Sequence, residues 1–392
     1  NKTELDPLLG NNQNKEKILD ALFDDINSYP YQYYLKQDIK TIDSLINAVG
    51  ELSTDFTFIE QIRKVFLIDK DLSIPAEIKR IFIDNEPIAF FIGAGLSALD
   101  KQAPTWPALG NQAVDYLIEK EILTHHEADR LKSTVSDPKQ KISILHNMLN
   151  FNSEDVKKFY ESRFKKRNLK KESVYKILTG FREVLKLTSN IDNLICLAEE
   201  AYKKPKKVSW EESKDKDKQE PLDNSFNEKT DVVSEGFNKD MHPLEEKKIY
   251  FLHGYINNLK SIVMSTDQYA EAYYQPNKLE RRDFLTEVFN KYTVIFMGYG
   301  LEELEILGNL SRETKQHYAL MPTFFNESYL FRLEKSYLKN FNIEPIPYYL
   351  DFNKYARLKT VLEHWLNEIE KARTEEQIEG LQLIKEVISA KS

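Results

Sequence analysis

Pro87-Ile88-Ala89-Phe90-Phe91-Ile92-Gly93-Ala94-Gly95-Leu96-Ser97 joins an apolar run to a glycine turn. Ile88 to Ile92 is a short, continuous apolar run, as expected of a strand buried on both faces rather than one face wetted by water. It passes directly into Gly-Ala-Gly, and a helical pattern follows from Ala108 to Glu121, beyond Pro104-Thr105-Trp106-Pro107. A strand, a glycine turn and a helix in this order can bring backbone amides close to a pyrophosphate. An ordinary tight turn explains the same residues, and the full G-x-G-x-x-G spacing is missing.

The pattern repeats along the chain. Val184-Leu185-Lys186-Leu187-Thr188 reads as a second strand, followed by a helix from Asp192 to Tyr202. Ile249-Tyr250-Phe251-Leu252 and Thr293-Val294-Ile295-Phe296-Met297 read as further strands, and Ser261-Ile262-Val263-Met264 as another short one. Helical patterns follow across 266–291 and from about Leu301, and Tyr318–Met321 and Ile343–Tyr348 suit two more strands with a helix between them. Residues 126–180 carry several short amphipathic, lysine-rich helices, and two closing helices fit 354–371 and 375–390. Strands alternating with helices predict an α/β fold, a Rossmann-like doubly wound parallel sheet with an inserted helical module and helical N- and C-terminal extensions.

The flanks differ in texture. Ile18, Leu19, Leu22 and Ile26, then Ile39, Ile42, Leu45, Ile46 and Val49, recur at helical spacing on either side of Pro30. Lys64–Ile68 suits a third helix or a short strand. Residues 1–80 are therefore expected to be a helical packing or oligomerisation region, 81–350 the nucleotide-binding domain, and 351–392 C-terminal helices. Within the middle domain, residues 203–248 hold 11 basic and 12 acidic residues among sparse apolar ones. Such a segment buries too little apolar surface to offset its ordering entropy and is expected to be a charged, partly mobile insertion.

Composition bounds the function. The chain has 392 residues, 55 basic against 63 acidic, with a net charge of −8. That balance gives no reason to expect direct nucleic-acid binding. No stretch approaches the roughly 18 apolar residues of a membrane span, and Asn1-Lys2-Thr3-Glu4 opens no signal sequence. A single cysteine, Cys196, excludes a disulfide framework and a multi-cysteine zinc site, so no metal is expected. A cytoplasmic protein is the expectation. Glycine is scarce: 12 in the chain, against roughly 27 at average usage. Five of the 12 fall in three clusters, Gly93 and Gly95, Gly254, and Gly298 and Gly300, which mark strand ends.

Polar residues gather at the same ends. Thr188-Ser189-Asn190-Ile191-Asp192 follows the second strand, where open parallel sheets bind ligands; a helix N-cap accounts for Asp192 equally well. His253 ends a strand before Gly254, a place that suits either a structural histidine or a catalytic one with a pKa near the unperturbed value of about 6.5. Trp106 suits a wall for a planar ligand or a plain core position. Glu302 suits either a ligand contact or a helix N-terminal acid favoured by the dipole.

In combination and in this order, Gly93-Ala94-Gly95-Leu96-Ser97, Thr188-Ser189-Asn190-Ile191-Asp192 and Leu252-His253-Gly254 resemble the sirtuins, with their G-A-G-x-S loop, T-x-N-x-D strand end and histidine-glycine pair. Gly298-Tyr299-Gly300-Leu301-Glu302 is similar to the family's later strand end on the adenosine side. The departures matter as much. Gln102–Pro107 lacks the Asp-Phe-Arg of deacylating sirtuins, and one cysteine cannot form their four-cysteine zinc ribbon. The P-x-W segment, Asn190–Leu194 and Ser265–Tyr269 look more like the bacterial sirtuin-like effectors of antiphage defence.

The resemblance implies NAD+ as substrate and an NAD+ glycohydrolase giving nicotinamide and ADP-ribose, in an abortive-infection role. It implies Asn190, His253 and Asp192 as catalytic residues, and Gly93, Ala94, Gly95, Ser97, Trp106, Gly298 and Glu302 as NAD+-binding. Ser97 would donate to the pyrophosphate, and His253 would act as general base. It further implies a homo-oligomer and a separately encoded ATPase, nuclease-like or Argonaute-like partner. An NAD-dependent deacylase and a silent NAD- or ADP-ribose-binding module are the alternatives.

Overall fold

Ile88–Ile92 form strand β1, all five residues buried. It belongs to a computed structural model that describes residues 72–203, 230–237, 248–275, 280–310, 315–324, 328–350 and 354–389. The chain divides into two units, Pro87–Leu310 and Asn1–Glu86 with Ser311–Ser392.

In the Pro87–Leu310 unit, β1 is joined by β2 (Val184–Thr188), β3 (Val232–Val233), β4 (Ile249–Phe251) and β5 (Thr293–Met297). The strands lie in the order β3-β4-β2-β1-β5, and their pairings are parallel. Ile92 stands level with Thr188 on one side and Met297 on the other, so three strands end together. Like β1, β2 and β5 are buried along their whole length, which is why their apolar runs do not alternate. Lys186 is the exception within β2, its ammonium 3.1 Å from the Glu199 carboxylate. The chain moves outward from β1 through β2 to β4 and returns on the other flank of β1 as β5. That reversal creates a switch point above β1 and β5, where the strand-end loops part and leave a crevice. The unit has the Rossmann-like α/β fold expected.

Between β1 and β2 lies the helical module: Trp106–Glu119, His125–Thr134, Pro138–Leu149, Glu154–Phe164 and Val174–Leu178. Its starts follow ordinary capping chemistry. Thr124 and Glu127 form a capping box, and Asp137 and Ser153 accept from the first-turn amides Lys139 N and Val156 N. Leu117, Ile142, Leu145, Phe159 and Tyr160 form the module's core, and Ile191, Ile256, Ile262 and Met264 from the strand-end loops pack into the same cluster. The module is thereby anchored over the carboxyl ends of the strands.

In this unit three elements differ from the expectation. Ser261–Met264 is not a strand: a short 3-10 turn, Leu259–Ser261, precedes an extended segment outside the sheet. Its apolarity serves the helical module, where Ile262 and Met264 pack. The charged stretch 203–248 contributes β3 at the edge of the sheet, paired with Ile249 and Tyr250, while residues 204–229 and 238–247 lie outside the described residues. No extended helix starts at Leu301, which has φ 54°; the helix there is only Leu304–Leu307.

In the other unit, β6 (His317–Thr323) and β7 (Ile343–Tyr349) form a parallel pair with the helix Ser328–Leu338 between them in sequence. The two expected closing helices are one, Arg357–Ser389. Ala372-Arg373-Thr374 holds no glycine or proline to break it, and Arg373 is held by the carbonyl of Phe82, 2.9 Å away. Ala76–Ile83 is helical. The helices expected between Ile18 and Val49, and the helix or strand expected at Lys64–Ile68, lie outside the described residues. Among the described residues no helix is long and apolar enough to cross a membrane.

Candidate functional site

Thr188, the last residue of β2, organises the loop that leaves the strand. Its hydroxyl donates to the carbonyl of Ile92 at 2.9 Å and accepts from the amide of Asn190 at 3.0 Å. A threonine two residues before the asparagine therefore ties the end of β2 to the end of β1 and turns the Asn190 side chain back over the glycine loop. There its amide nitrogen donates to the Gly93 carbonyl and to Ser97 Oγ, each at 3.0 Å, and lies 3.2 Å from the Tyr175 hydroxyl. Those contacts orient the amide, and Asn190 Oδ1 is left buried without a hydrogen-bond partner.

Ser97 donates to Asp192 Oδ2 at 2.7 Å and lies 2.6 Å from the Tyr175 hydroxyl. With the serine proton on Asp192, Tyr175 is the donor to Ser97. Asp192 Oδ1 accepts from the amide of Leu194 at 3.0 Å, so the residue also caps the helix Leu194–Lys203. The capping reading of Asp192 is met by this hydrogen bond. Burial pushes it up to about 6, opposed by the Ser97 and Leu194 hydrogen bonds and by Lys166.

Two recesses open here. A small one is lined by Ala94, Ser97, Trp106, Asn190, Asp192 and Met264 among others. A larger cleft of about 560 Å³ is bordered by Ala94, Gly95, Trp106, Lys139, Gly298 and Glu303, with Glu302 at its exposed rim. Ala94, Trp106 and Ser189 line both, so the recesses adjoin. Trp106 is at once a wall of the site and a packing residue: half-buried, it meets Tyr269 edge-on at 6.2 Å.

The glycines serve a different purpose from the one expected. The amides of Gly93 and Gly95 donate to the carbonyls of Met297 and Gly298 at 2.9 and 2.8 Å, so neither is open to a phosphate. A Cβ at Gly93 would lie 2.4 Å from the Gly298 carbonyl oxygen, and one at Gly298 would lie 2.5 Å from the Leu96 amide. These residues clear room first for each other, locking the β1 and β5 loops together. Ser97 is likewise unavailable as a phosphate donor, its proton being spent on Asp192. Gly254, at φ +87°, turns the chain after His253 against the Ser261 carbonyl.

His253 departs most from expectation. It is 0% exposed and does not line either recess. Its Nδ1 lies 3.1 Å from the Tyr269 hydroxyl, and its Nε2 lies 3.6 Å from Glu303 Oε2. Burial pushes it down to about 3, helped by Arg281 and Lys139 and opposed by the Ser189 backbone. The imidazole is neutral at neutral pH and not poised near about 6.5, because burial penalises its charged form.

Three residues of the site, Glu303, Lys139 and Tyr175, escaped the sequence. Glu303 borders the cleft and is pushed up to about 7, first by burial. Lys139 supplies a cation on the cleft wall, 3.1 Å from Glu305 and 3.7 Å above the Tyr269 ring. Tyr175 and Ser189 complete the polar floor. Glu303 was hidden beside Glu302, since a pair of glutamates at a strand end carries no sign of which one turns inward. Tyr175 and Lys139 lie in lysine-rich helices that have no periodic signal of a site.

No curated protein matches the chain. Residues 185–346 match the SIR2-like domain, a span that includes Asn190, Asp192, His253, Gly298 and Glu302 and begins after the Gly93–Ser97 loop. Over that span the chain is similar to the SIR2-like domain.

Proposed function

We propose that this protein is an NAD+ glycohydrolase, which cleaves the nicotinamide–ribose bond to release nicotinamide and ADP-ribose. A SIR2-like domain supports an NAD-related function, its members being NAD-dependent enzymes. The observation that carries the finer reading is Asn190: a buried amide held by contacts to Gly93 and Ser97, with its oxygen unpartnered at the wall of a recess. A buried acceptor without a donor is costly, so a ligand N–H or O–H, or a water, completes it. The carboxamide of nicotinamide is such a donor.

In this reading Asn190 and Ser97 shape the nicotinamide end. Asp192, ionised above about pH 6, contributes negative charge where the ribose becomes an oxocarbenium-like cation, a stabilisation strengthened by its dry surroundings. Lys139 meets the pyrophosphate, replacing the amides of Gly93 and Gly95. Trp106 walls the junction of the two recesses, and Gly298 and Glu302 border the adenosine side. His253 supports the cleft from behind. We further propose a cytoplasmic antiphage effector that depletes NAD+ in an abortive infection, acting as a homo-oligomer with a separately encoded defence partner. An exposed apolar stripe on Ser328–Leu338, formed by Tyr329, Leu330, Leu333 and Tyr337, supports the oligomer.

The test is nicotinamide release from NAD+ by the pure full chain, with and without acyl-lysine peptide. Release without peptide, reduced at least about 100-fold in Asn190→Ala, is the expected result. Release that requires the peptide would make the protein a deacylase. Binding of NAD+ without turnover in any condition would make it a silent module.

A further inference from the structure

Residues 163–176 hold seven basic side chains and one acidic one, in a chain whose net charge is −8. A net charge averages over the whole surface, whereas a partner meets the field of one patch. Between the helices Glu154–Phe164 and Val174–Leu178, residues 165–173 form neither helix nor strand. Side chains strap this segment to its own unit instead. Asn193 Oδ1 accepts from the Lys166 amide at 2.9 Å, and Asn193 Nδ2 donates to the Lys166 carbonyl at 2.8 Å. Gln102 donates to the Asn168 carbonyl at 3.2 Å, and the Asp100 carboxylate accepts from the Ser173 hydroxyl and the Val174 amide. The strap is fixed before any partner arrives, so little ordering entropy is left to lose on binding.

Its charges are exposed and largely unneutralised. Lys165, Arg167, Lys170, Lys171 and Lys176 are exposed, and Lys166 is half-buried. Among the described residues, only Lys165 of these is ion-paired, to Glu161 at 3.0 Å. The ammonium groups of Lys170 and Lys176 donate to the carbonyls of Asp100 and Lys171, which carry no charge. Glu172 is the one acid within the strap. Cations held together without counter-charges repel one another, and a polyanion relieves that repulsion.

The neighbouring side chains decide which polyanion fits. Phe159, Tyr160, Phe164 and Tyr175, the aromatic residues of the strap and its approaches, are all buried. A protein partner would need an exposed aromatic or apolar anchor. A single nucleic-acid strand would need aromatic faces on which its bases stack. The strap offers neither, and what remains is contact with phosphates, which carries no sequence information.

We propose that residues 165–176 are a docking surface for the phosphate backbone of a nucleic-acid duplex, bound without regard to sequence. Arg167, Lys170, Lys171 and Lys176 make the phosphate contacts, and the acidic remainder of the chain keeps the duplex from adhering elsewhere. The surface adjoins the candidate site, since Phe164, at the start of the strap, lines the small recess with Asn190 and Asp192. This inference does not rest on the glycohydrolase reading.

Fluorescence anisotropy of a labelled DNA duplex of about 20 base pairs, titrated with the full chain between about 50 and about 200 mM salt, tests this. With those phosphate contacts, affinity is expected to fall about 100-fold across that range. Arg167→Gln with Lys171→Gln removes two of them, so low-salt binding should weaken and the fall shrink to about 10-fold. Lys171→Gln alone should give an intermediate salt dependence, which decides the matter if the double variant does not fold. Lys291→Gln with Lys371→Gln, an equal loss of charge at exposed positions elsewhere, should bind as the wild type does. An unlabelled RNA duplex should displace the DNA, and a single strand of the same sequence should bind more weakly.

No binding at about 50 mM salt overturns the proposal. So does binding that the strap variants leave unchanged, or that the control pair weakens equally. Tighter binding of the single strand overturns the duplex as partner, and tighter binding of polyglutamate would make the strap a surface for an acidic protein instead.

Discussion

Asp192 carries two hydrogen bonds and still has its carboxyl pushed up, from 3.8 to about 6, because burial outweighs them. Its charge is therefore held at a cost to the fold. The native state binds the extra proton between those values, so stability present below about pH 4 is lost as pH rises through about 6, to a total of about 3 kcal/mol. Asp192→Asn should remove that slope: the variant gains on the wild type as pH rises from about 4 to 7, and thermal melts at several pH values read the difference. His253 acts in the opposite sense. Its folded pKa is depressed, so it contributes stability above about pH 6.5 that is lost as pH falls through about 3. In His253→Gln the acid limb should be shallower, and an unchanged limb in the same melts would show that the imidazole is not the buried group responsible.

At the scale of elements, the β1 and β5 loops hold the site together through backbone contacts that leave no space for a side chain. Gly298 combines φ +60° with a would-be Cβ 2.5 Å from the Leu96 amide. Gly298→Ala should cost about 3 kcal/mol, from left-handed strain and from displacement of the first turn of Ala94–Leu99. Gly300, two residues on, is the control. A Cβ there meets nothing nearer than 3.9 Å, and Gly300→Ala should change stability by no more than about 0.5 kcal/mol in chemical denaturation. Equal losses at both positions would mean that the loop tolerates no side chain for some reason other than this contact. β1, β2 and β5 were legible because a strand buried on both faces must be apolar throughout. β3 was not, since two valines in a charged stretch acquire strand character only from the edge of β4. Ser261–Met264 failed for the converse reason: packing into the helical module demands the same apolar residues as a sheet does.

For the whole molecule, ligand binding is linked to folding. NAD+ that binds only the native state should raise its stability by about 2.7 kcal/mol at 100 times the dissociation constant, and the shift should shrink in Asn190→Ala. A thermal shift with NAD+ and none with nicotinamide mononucleotide would place most of the affinity on the adenosine half. Light scattering coupled to size-exclusion chromatography tests the homo-oligomer; a strict monomer at micromolar concentration would count against it, and Tyr329→Glu with Leu333→Glu should dissociate any assembly built on that stripe.

Residue types and their order by themselves determined the α/β class, the three central strands, the strand-end positions of Asn190, Asp192 and His253, and the sirtuin resemblance. Each rests on local chemistry: buried strands must be apolar, tight turns need glycine, and polar groups at strand ends are free to meet a ligand. Only the tertiary structure decided what those residues touch. It turned the amides of Gly93 and Gly95 towards β5, gave the Ser97 proton to Asp192, buried His253 and set Glu303 against the cleft. The reason is that hydrogen-bond partners and desolvation depend on groups far apart in the chain, 95 residues in the case of Ser97 and Asp192. A motif read along the sequence contains the donors and acceptors but not the pairing that assigns their protons.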